Sequence, residues 1–288
     1  NKTKPGIKKS IIMSYKATLI ISVYRETRFL KAVLDSLPFQ TEKNFEVIIS
    51  EDGEDAAMKS FIDSYPFVND HKHLTQEDIG WRKNRALNRA IAAAVSDWLI
   101  FIDGDCVLHP RFIEYHLRHA GKKKILSAKK VKLDDHLSRM ILKDSSSITY
   151  VQKKLRREIL SARKKEIGFI EEGVFINPTG PFGIIPIMRK MKQLKGCNMS
   201  FSKSAAMAIN GFDEDYIHPL IGEDIDLSWR FRKAGFRICS LRNIAVQYHL
   251  NHKENWNPMG GNLDKMESKI QKGEFYCVNG LNKHIDTN

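Results

Sequence analysis

The chain has 288 residues, 42% of them hydrophobic, and a formal net charge of +13, so it can bury the core of one large α/β domain or of two small ones. No apolar run reaches the roughly 18 residues of a membrane span, and the first residues lack the apolar centre of a signal peptide. Four cysteines without a CxxC pair argue against a zinc site and a disulfide framework, so we expect a cytoplasmic protein with reduced thiols.

Apolar runs separated by polar, helix-like segments begin the chain. Three of these runs are typical of buried parallel strands: "ATLIISVY" at 17–24, "FEVIIS" at 45–50 and "DWLIFID" at 97–103. Helices are expected to begin after them, near Thr27, Glu54 and Pro110. This alternation predicts an α/β fold whose mainly parallel sheet is flanked by helices.

The positive charge is concentrated between residues 122 and 165, where fifteen Lys and Arg stand against four Asp and Glu. From about 134 to 195 a basic amphipathic stretch and a Gly/Pro-rich loop interrupt the α/β pattern, so we interpret these residues as a helical insertion. Its apolar face is expected from residues at helical spacing: Ile148, Val151, Leu155, Ile159 and Ala162. Contact with an anionic membrane, contact with an anionic acceptor and a solvated helix all remain open as interpretations.

Carboxylates stand at the ends of predicted strands and at the start of a later helix. The ligand crevice of an open parallel sheet lies outside the carboxyl ends of its strands, so these side chains face a binding site. Asp52 could instead form a turn, and Glu223 and Asp224 could merely favour a helix N-terminus. The closeness of Asp103 and Asp105 needs another explanation, because neighbouring anions without a cation destabilise each other. A divalent metal ion that takes oxygen ligands would explain it.

Two other classes of protein are compatible with parts of this pattern. "LIFIDGDCVL" could be the nucleophile loop of a Mg²⁺-dependent haloacid-dehalogenase-type phosphatase, but that strand normally comes first, and here about a hundred residues precede it. The net charge would suit a non-enzymatic nucleic-acid-binding protein. Its concentration in one insertion, without interleaved aromatic residues, argues against that class.

The same motif also resembles the DxD of nucleotide-sugar glycosyltransferases with the GT-A fold. The chain is similar to inverting family 2 glycosyltransferases, especially bacterial chondroitin-polymerase-type modules, and more distantly to β-1,4-galactosyltransferases. The resemblance rests on segments in the family's order between Ala17 and Asn255: "TLIISVYRE", "VIISEDG", "LTQEDIGWRKNRALNRAI", "LIFIDGDCVLHP", "KGCNMSFSKSAAMAINGFDEDY", "GEDIDLSWRFRKAGF" and "VQYHLNHKEN". It implies a metal-assisted hexosyltransferase that moves a sugar from a UDP-sugar to a glycan or lipid-linked acceptor in surface polysaccharide biosynthesis.

The resemblance places the donor nucleotide along the first half of the chain. Asp52 matches an aspartate that accepts a hydrogen bond from the uracil ring, which a cytosine ring could not donate. Arg82 is preferred over the basic residues that follow it, because these cannot all point inward from one helix. The other matches to nucleotide-sugar-binding positions are Ser22, Tyr24, Glu26, Gln76, Asn88 and Asp103.

Metal and catalytic residues are implied in the same way. Asp105 is expected to bind Mn²⁺ or Mg²⁺ directly and His249 to add a ligand, while Asp103 lies near the ribose or a metal-bound water. Asp224 matches the base that removes the proton of the acceptor hydroxyl, and Glu223 matches the neighbour that holds the acceptor or the sugar.

The resemblance also implies a division of the chain into parts, and the chain differs from the family in one motif. We expect an N-terminal extension (1–16), one GT-A domain (17–260) and a C-terminal tail (261–288), and the domain splits into a nucleotide-binding half (17–133), the insertion (about 134–195) and an acceptor and catalytic half (196–260). The family's Trp-Gly-Gly-Glu-Asp lip is "HPLIGED" here, so Trp81 and Trp256 become alternative residues for stacking on sugar. We expect no nucleic-acid partner, and a peripheral contact with the cytoplasmic face of the inner membrane through the insertion.

Overall fold

The computed structural model describes residues 14–160, 167–219, 221–253 and 261–285, which form two sheets and the helices around them. The strands of these residues are β1 (Ala17–Val23), β2 (Phe45–Glu51), β3 (His71–Leu74), β4 (Trp98–Asp103), β5 (Cys106–Leu108), β6 (Lys124–Ser127), β7 (Val131–Lys132), β8 (Asn198–Ser202), β9 (Arg237–Ser240) and β10 (Gln247–His249). The main sheet has the order β3-β2-β1-β4-β8-β6-β9, and β8 alone runs antiparallel to its neighbours. The predicted mixed, mainly parallel sheet is therefore confirmed.

The three strands expected from apolar runs form the centre of this sheet. β1 lies between β2 and β4 and is parallel to both, with Ser22 opposite Asp103. Their side chains alternate between two faces, and so Leu19 and Ile21 belong to one core cluster while Ile20 belongs to the other. Because both faces are covered, these strands read as continuous apolar sequence.

Helices cover both faces of the sheet. They are α1 (Thr27–Ser36), α2 (Ala56–Ser64), α3 (Lys83–Ala93), α4 (Phe112–His119), α5 (Asp135–Lys143), α6 (Ile148–Leu160), α7 (Ile184–Met188), α8 (Lys203–Ala208), α9 (Asp224–Lys233) and α10 (Asn262–Lys272). The helix expected near Glu54 begins at Ala56, because Asp55 caps it by accepting a hydrogen bond from the Met58 amide at 2.8 Å. No helix of the described residues is both long and apolar enough to cross a membrane.

The second sheet is small and brings a late strand to the end of β4. Its order is β5-β10-β7, with β10 antiparallel to β5 and parallel to β7. His249 of β10 pairs with Cys106, the residue after Asp105. Two segments that are more than a hundred residues apart in sequence therefore meet beside the carboxyl end of β4.

The insertion packs against the same core as the first half of the chain. Ile148, Val151 and Leu155 of α6 are buried in the cluster that also contains α1, as the helical spacing predicted. Ile159 is partly buried against this cluster, and Ala162 lies outside the described residues. The insertion is thus an integral layer of the domain.

Residues 261–285 are also part of the fold, unlike the tail expected from the sequence. Their anchor is Arg230 of α9, a fully buried side chain that donates hydrogen bonds to the carbonyls of Phe275 and Ile209. Its Nη1 also lies 3.0 Å from Asp226 Oδ2, and both side chains are 0% exposed. Asp226 stands in the first turn of α9, where a carboxylate favours a helix N-terminus, and the structure also makes it the counter-ion of a buried arginine.

Replacing Asp226 by alanine is expected to lower the free energy of unfolding by about 3–5 kcal/mol, because it leaves a buried guanidinium without its carboxylate. Urea denaturation measures this change. The matched control is Asp63→Ala, which removes an ion pair of the same i,i+4 spacing between exposed side chains and should leave stability nearly unchanged. Equal effects of the two substitutions would contradict a structural role for the buried pair.

Candidate active site

A cleft of about 770 Å³ opens at the carboxyl ends of β1, β2 and β4, where an open parallel sheet places its ligands. The residues after β6 and the end of β10 complete its wall. Its lining includes the predicted site residues Ser22, Tyr24, Glu26, Asp52, Asp103, Asp105 and His249. The structure thus brings together most of the residues expected to bind nucleotide and metal.

The two aspartates of the DxD point to different parts of this cleft. Asp103 ends β4, and the amide of Gly104 donates a hydrogen bond to the Ser22 carbonyl at 2.8 Å. A Cβ on Gly104 would lie 2.7 Å from Cγ1 of Val23, so the close approach of the two strands requires glycine between the aspartates. The chain turns there, and Asp105 therefore faces β10 while Asp103 faces α3.

Asp105 lies against two imidazoles. Its Oδ2 is 3.1 Å from Nε2 of His249 and 2.9 Å from Nε2 of His252. Burial works to raise the pKa of Asp105, but hydrogen bonds from the two histidines hold it well below its ordinary value. Sequence reasoning missed His252, although its i,i+3 spacing from His249 in "HLNH" was a signal.

This cluster fits a divalent cation. One ligand atom each from Asp105, His249 and His252 can be chosen so that all lie within 4.8 Å of one another. The ligands of an octahedral ion at its usual bond length are about 3 Å apart, close to the carboxylate–imidazole distances here. One carboxylate and two imidazoles suit Mn²⁺ or a similar borderline ion, and Mg²⁺ less well because it prefers oxygen.

Asp52 is held in a fixed orientation at the other end of the cleft. Its Oδ1 accepts a hydrogen bond from Nε2 of Gln76 and its Oδ2 accepts one from the amide of Arg82, both at 2.8 Å. Burial raises the pKa of Asp52, and these hydrogen bonds oppose the increase. Tyr24 lies beside Gly53 and contributes an exposed ring to the same wall. The pair offers a hydrogen-bond acceptor and a flat apolar surface to a planar ligand.

Lys83 links the DxD to the beginning of α9. Its Nζ lies 3.0 Å from Asp103 Oδ1 and 2.8 Å from Glu223 Oε2. Burial opposes its charge, but the two carboxylates raise the pKa of Lys83 well above its ordinary value. The next residue, Asn84, donates to the Gly222 carbonyl at 2.9 Å and fixes the same segment. The first turn of α3 therefore positions Glu223 relative to Asp103.

Asp224 is the first residue of α9 and follows Glu223 in the chain. Its Oδ2 is 3.3 Å from the Gly196 amide and 3.8 Å from Nζ of Lys195, and its side chain is 19% exposed. Burial raises the pKa of Asp224, with Lys195 opposing the increase. A partly buried carboxylate with a raised pKa is a stronger base than a solvated one and can still be reached by a substrate.

Five predicted residues are not among those that line the cleft: Glu223 and Asp224, described above, and Arg82, Gln76 and Asn88. The Arg82 guanidinium donates to the Trp81 carbonyl at 2.9 Å, so the cation of this segment that faces the cleft is Lys83. Gln76 is buried behind Asp52. Asn88 is fully buried, and its amide bonds the carbonyl and the amide of Phe212. Asn88, predicted for nucleotide binding, thus lies away from the cleft, and both ends of its side chain hold α3 against the segment before α9.

Further residues of the cleft were not expected from the sequence. Lys130 lines it after β6, and no carboxylate of the described residues lies within ion-pair distance of its Nζ. Despite burial, the nearby Cys106, Cys197 and carboxylates raise the pKa of Lys130. Of the two tryptophans that were expected as alternatives for stacking on sugar, Trp81 lies on the cleft wall, and Trp256 falls outside the described residues.

Two family profiles match neighbouring segments of the chain. The profile described as "Glycosyl transferase family 2" matches residues 18–173, and the one described as "N-terminal domain of galactosyltransferase" matches residues 186–253. Among curated proteins, EpsH of Bacillus subtilis, which carries a glycosyltransferase name, is 34% identical over 105 residues, covering 36% of this chain and 30% of EpsH. The validoxylamine A glucosyltransferase of Streptomyces hygroscopicus subsp. jinggangensis is 30% identical over 107 residues, covering 36% of this chain and 25% of that enzyme. The matched region thus spans about a third or less of these relatives.

Solved structures share the fold at low sequence identity. The mannosyltransferase PcManGT of Pyrobaculum calidifontis, solved with GDP-Man and Mn²⁺, has a TM-score of 0.53 at 14% identity and covers 85% of this chain and 59% of its own. TarS 1–349 of S. aureus, solved with UDP-GlcNAc, has a TM-score of 0.55 at 12% identity and covers 93% of this chain and 69% of its own. These likenesses support the GT-A architecture of the sheet and of its cleft.

Proposed function

The chain belongs to glycosyltransferase family 2, and from this premise we propose that it transfers a sugar from a UDP-sugar to a glycan or lipid-linked acceptor with inversion at the anomeric carbon. The proposal rests on one observation: the two aspartates of the DxD contact different groups of residues. Asp105 contacts His249 and His252, and Asp103 reaches Glu223 through Lys83. One short turn thus joins a cation site to the segment that carries the candidate base.

Asp52 supports uracil as the base of the donor. A carboxylate can accept a hydrogen bond from the imide N–H of uracil, and the fixed orientation given by Gln76 reduces the entropy lost on binding. Tyr24 offers its exposed ring to the flat face of the base. TarS 1–349 was solved with UDP and UDP-GlcNAc, and PcManGT with GDP-Man, so the chemistry of Asp52 is the reason for our choice of UDP.

Asp105, His249 and His252 would hold the divalent cation, with Asp103 turned to the ribose. When bound, such a cation neutralises the negative charge of the departing nucleoside diphosphate. Lys130 adds a positive charge to the same region of the cleft, and it would remain beside the diphosphate throughout the reaction. The residues around the donor are thus arranged to stabilise a leaving group of high negative charge.

Asp224 would act as the general base. Its carboxylate removes the proton of the acceptor hydroxyl while that oxygen forms a bond to the anomeric carbon, and the bond between this carbon and the diphosphate oxygen breaks. The products are the new glycoside, UDP and protonated Asp224. Glu223 would hold the acceptor or the donor sugar, at a position set by Lys83.

We further propose a role in bacterial surface polysaccharide biosynthesis, in the cytoplasm and at the inner face of its membrane. The similarity to EpsH supports a bacterial sugar-transfer setting, and the basic insertion supports contact with anionic partners.

Thermal denaturation with UDP and Mn²⁺ tests the proposed donor site. UDP at a hundred times its dissociation constant should stabilise the protein by about 2.7 kcal/mol, and UDP with Mn²⁺ should shift the transition beyond the shifts of either alone. No added shift from the combination would contradict the proposal. A phosphoenzyme on Asp103 would favour a phosphatase, and salt-sensitive stabilisation by nucleic acid without any effect of UDP would favour a nucleic-acid-binding protein.

His252→Ala is expected to weaken Mn²⁺ binding by about tenfold or more, because one of two imidazoles leaves the cluster around Asp105. Mn²⁺ electron paramagnetic resonance and calorimetry measure this affinity without any turnover. The matched control is His119→Ala, a histidine of α4 whose Nδ1 contacts only the Tyr115 carbonyl of its own helix. Unchanged Mn²⁺ affinity in His252→Ala would remove this residue from the proposed ligand set.

A further inference from the structure

A protruding apolar segment lies near the end of the insertion. We call residues 182–188 the apolar knob, which contains the one-and-a-half turns of α7. Phe182 is 67% exposed, Ile184 60%, Ile187 61% and Met188 71%. Single exposed apolar side chains are ordinary, but several neighbouring ones form a patch that usually marks an interaction surface.

The apolar knob is held rigidly at its base. Pro186 is buried under the exposed residues, and Arg189 places Nη2 3.0 Å from Oε1 of Glu172, a fully buried carboxylate. Glu172 is also paired with Arg242. Before the helix, Gly183 closes a tight turn in which a Cβ would lie 2.0 Å from the Pro178 carbonyl oxygen. The exposed side chains are therefore presented by a braced turn.

Positive charge borders the apolar knob. Lys190 and Lys192 lie two and four residues after it and are exposed, and neither forms an ion pair with the described part of the chain. An apolar surface next to unpaired lysines matches a bilayer that carries anionic headgroups, because the side chains can enter the boundary of the acyl chains while the ammonium groups meet phosphates.

We propose that the apolar knob docks this protein on an anionic phospholipid bilayer. Phe182, Ile184, Ile187 and Met188 enter the interface, and Lys190 and Lys192 bind lipid phosphates. The contact is peripheral, since α7 is far too short to span a membrane.

Docking at this place has a consequence for the acceptor, which rests on the proposed function. The chain leaves the apolar knob at Arg189 and reaches Lys195, whose Nζ lies 3.8 Å from the candidate base Asp224. The acceptor side of the site would therefore be close to the bilayer surface. The class of acceptor that fits is one anchored in the membrane by a lipid.

Vesicle co-sedimentation tests the docking. We expect the full chain to sediment with vesicles of phosphatidylcholine and phosphatidylglycerol and much less with phosphatidylcholine alone. Ile184→Asp combined with Ile187→Asp should lower the bound fraction by about tenfold, because charged side chains cannot enter the interface. The matched control, Val68→Asp with Val278→Asp, changes two valines that are 69% and 82% exposed elsewhere and should bind normally.

Charge variants locate the basic part of the surface. Lys190→Glu with Lys192→Glu should abolish the preference for phosphatidylglycerol, whereas Lys153→Glu with Arg157→Glu on the exposed face of α6 should not. Loss of binding only in the α6 variant would overturn the proposal in favour of the basic helix. Failure of the full chain to sediment would also overturn it, as would a dimer that the Ile184→Asp, Ile187→Asp variant dissociates without any vesicle binding.

Thermal shifts with UDP and Mn²⁺ separate this inference from the proposed function. The variants of the apolar knob should keep the shifts of the full chain, which also shows that they fold. If the chain binds vesicles but shows no shift with UDP and Mn²⁺, the docking proposal stands and the proposed UDP-sugar donor is contradicted.

Discussion

Asp224→Asn is expected to lower the rate of sugar transfer by about 10²- to 10⁴-fold and to leave the affinity for UDP nearly unchanged. Asparagine has almost the same shape and keeps an oxygen for the hydrogen bond from the Gly196 amide, but it cannot accept the acceptor's proton. Initial rates of UDP release measure the transfer, and calorimetry measures UDP binding. A large loss of UDP affinity would contradict the assignment of Asp224 as a base.

The control for this substitution is Asp264→Asn. Asp264 stands in the first turn of α10 as Asp224 does in α9, so both changes remove a carboxylate that favours a helix N-terminus. Asp264 is exposed and lies in a helix that carries none of the residues predicted for the site. Its asparagine variant should transfer sugar at the rate of the unchanged protein. An equal loss in both variants would mean that the helix, and not the chemistry, was affected.

The pH dependence provides a second readout of the same group. Burial raises the pKa of Asp224 above the ordinary value of 3.8. A base must be deprotonated to act, so kcat/KM should fall as the pH decreases through this raised pKa, and the acidic limb should lie above pH 3.8. The residual activity of Asp224→Asn should lack this limb. If the limb persists in that variant, another group must cause it.

Lys83→Met is expected to lower kcat by about 100-fold, because Glu223 and Asp103 lose the cation that fixes their positions. The free energy of unfolding should decrease by about 3 kcal/mol, since two carboxylates of low exposure are left without a partner. Steady-state kinetics and urea denaturation measure the two effects. The dissociation constant of UDP should change far less than kcat, because the hydrogen bonds that hold Asp52 come from Gln76 and the Arg82 amide and not from Lys83.

Two variants distinguish positioning from simple destabilisation. Arg85→Met removes a cation from the same helix that does not line the cleft and should leave kcat unchanged. Lys83→Arg keeps the charge but changes its geometry, so its kcat should fall between those of the unchanged protein and Lys83→Met. A Lys83→Met variant that is destabilised but transfers sugar normally would show that Lys83 only supports the fold.

The central part of the fold could be predicted because burial on both faces makes a strand apolar throughout. β1, β2 and β4 therefore stand out in the sequence, and with them the aspartates at their ends. β3 was not predicted, for the opposite reason: "HKHL" is an edge strand without a fully buried residue, so it has no apolar run. β5 and β7 consist of three and two residues and are defined by their partners. Residues 261–285 were missed because a few buried contacts hold an otherwise polar helix.

The site shows the same limit of sequence reasoning at the level of single residues. Arg82 and Lys83 are adjacent basic residues, and only the point at which α3 begins decides which of them faces the cleft. Neighbours on a helix project about 100° apart, so an error of one residue in the helix start exchanges their roles. The spacing of His252 from His249 was a signal, but the proximity of His252 to Asp105 depends on the path of the chain after β10.

Because the guanidinium of Arg230 is buried, completion of the site depends on residues that are synthesised later than α9. Its hydrogen bond to the Phe275 carbonyl spans 45 residues, so on the ribosome α9 is made well before its partner emerges. Until then Arg230 lacks an acceptor that its burial requires, and the helix that carries Asp224 cannot settle in its final place. The candidate base should therefore be among the last parts of the nascent protein to become ordered.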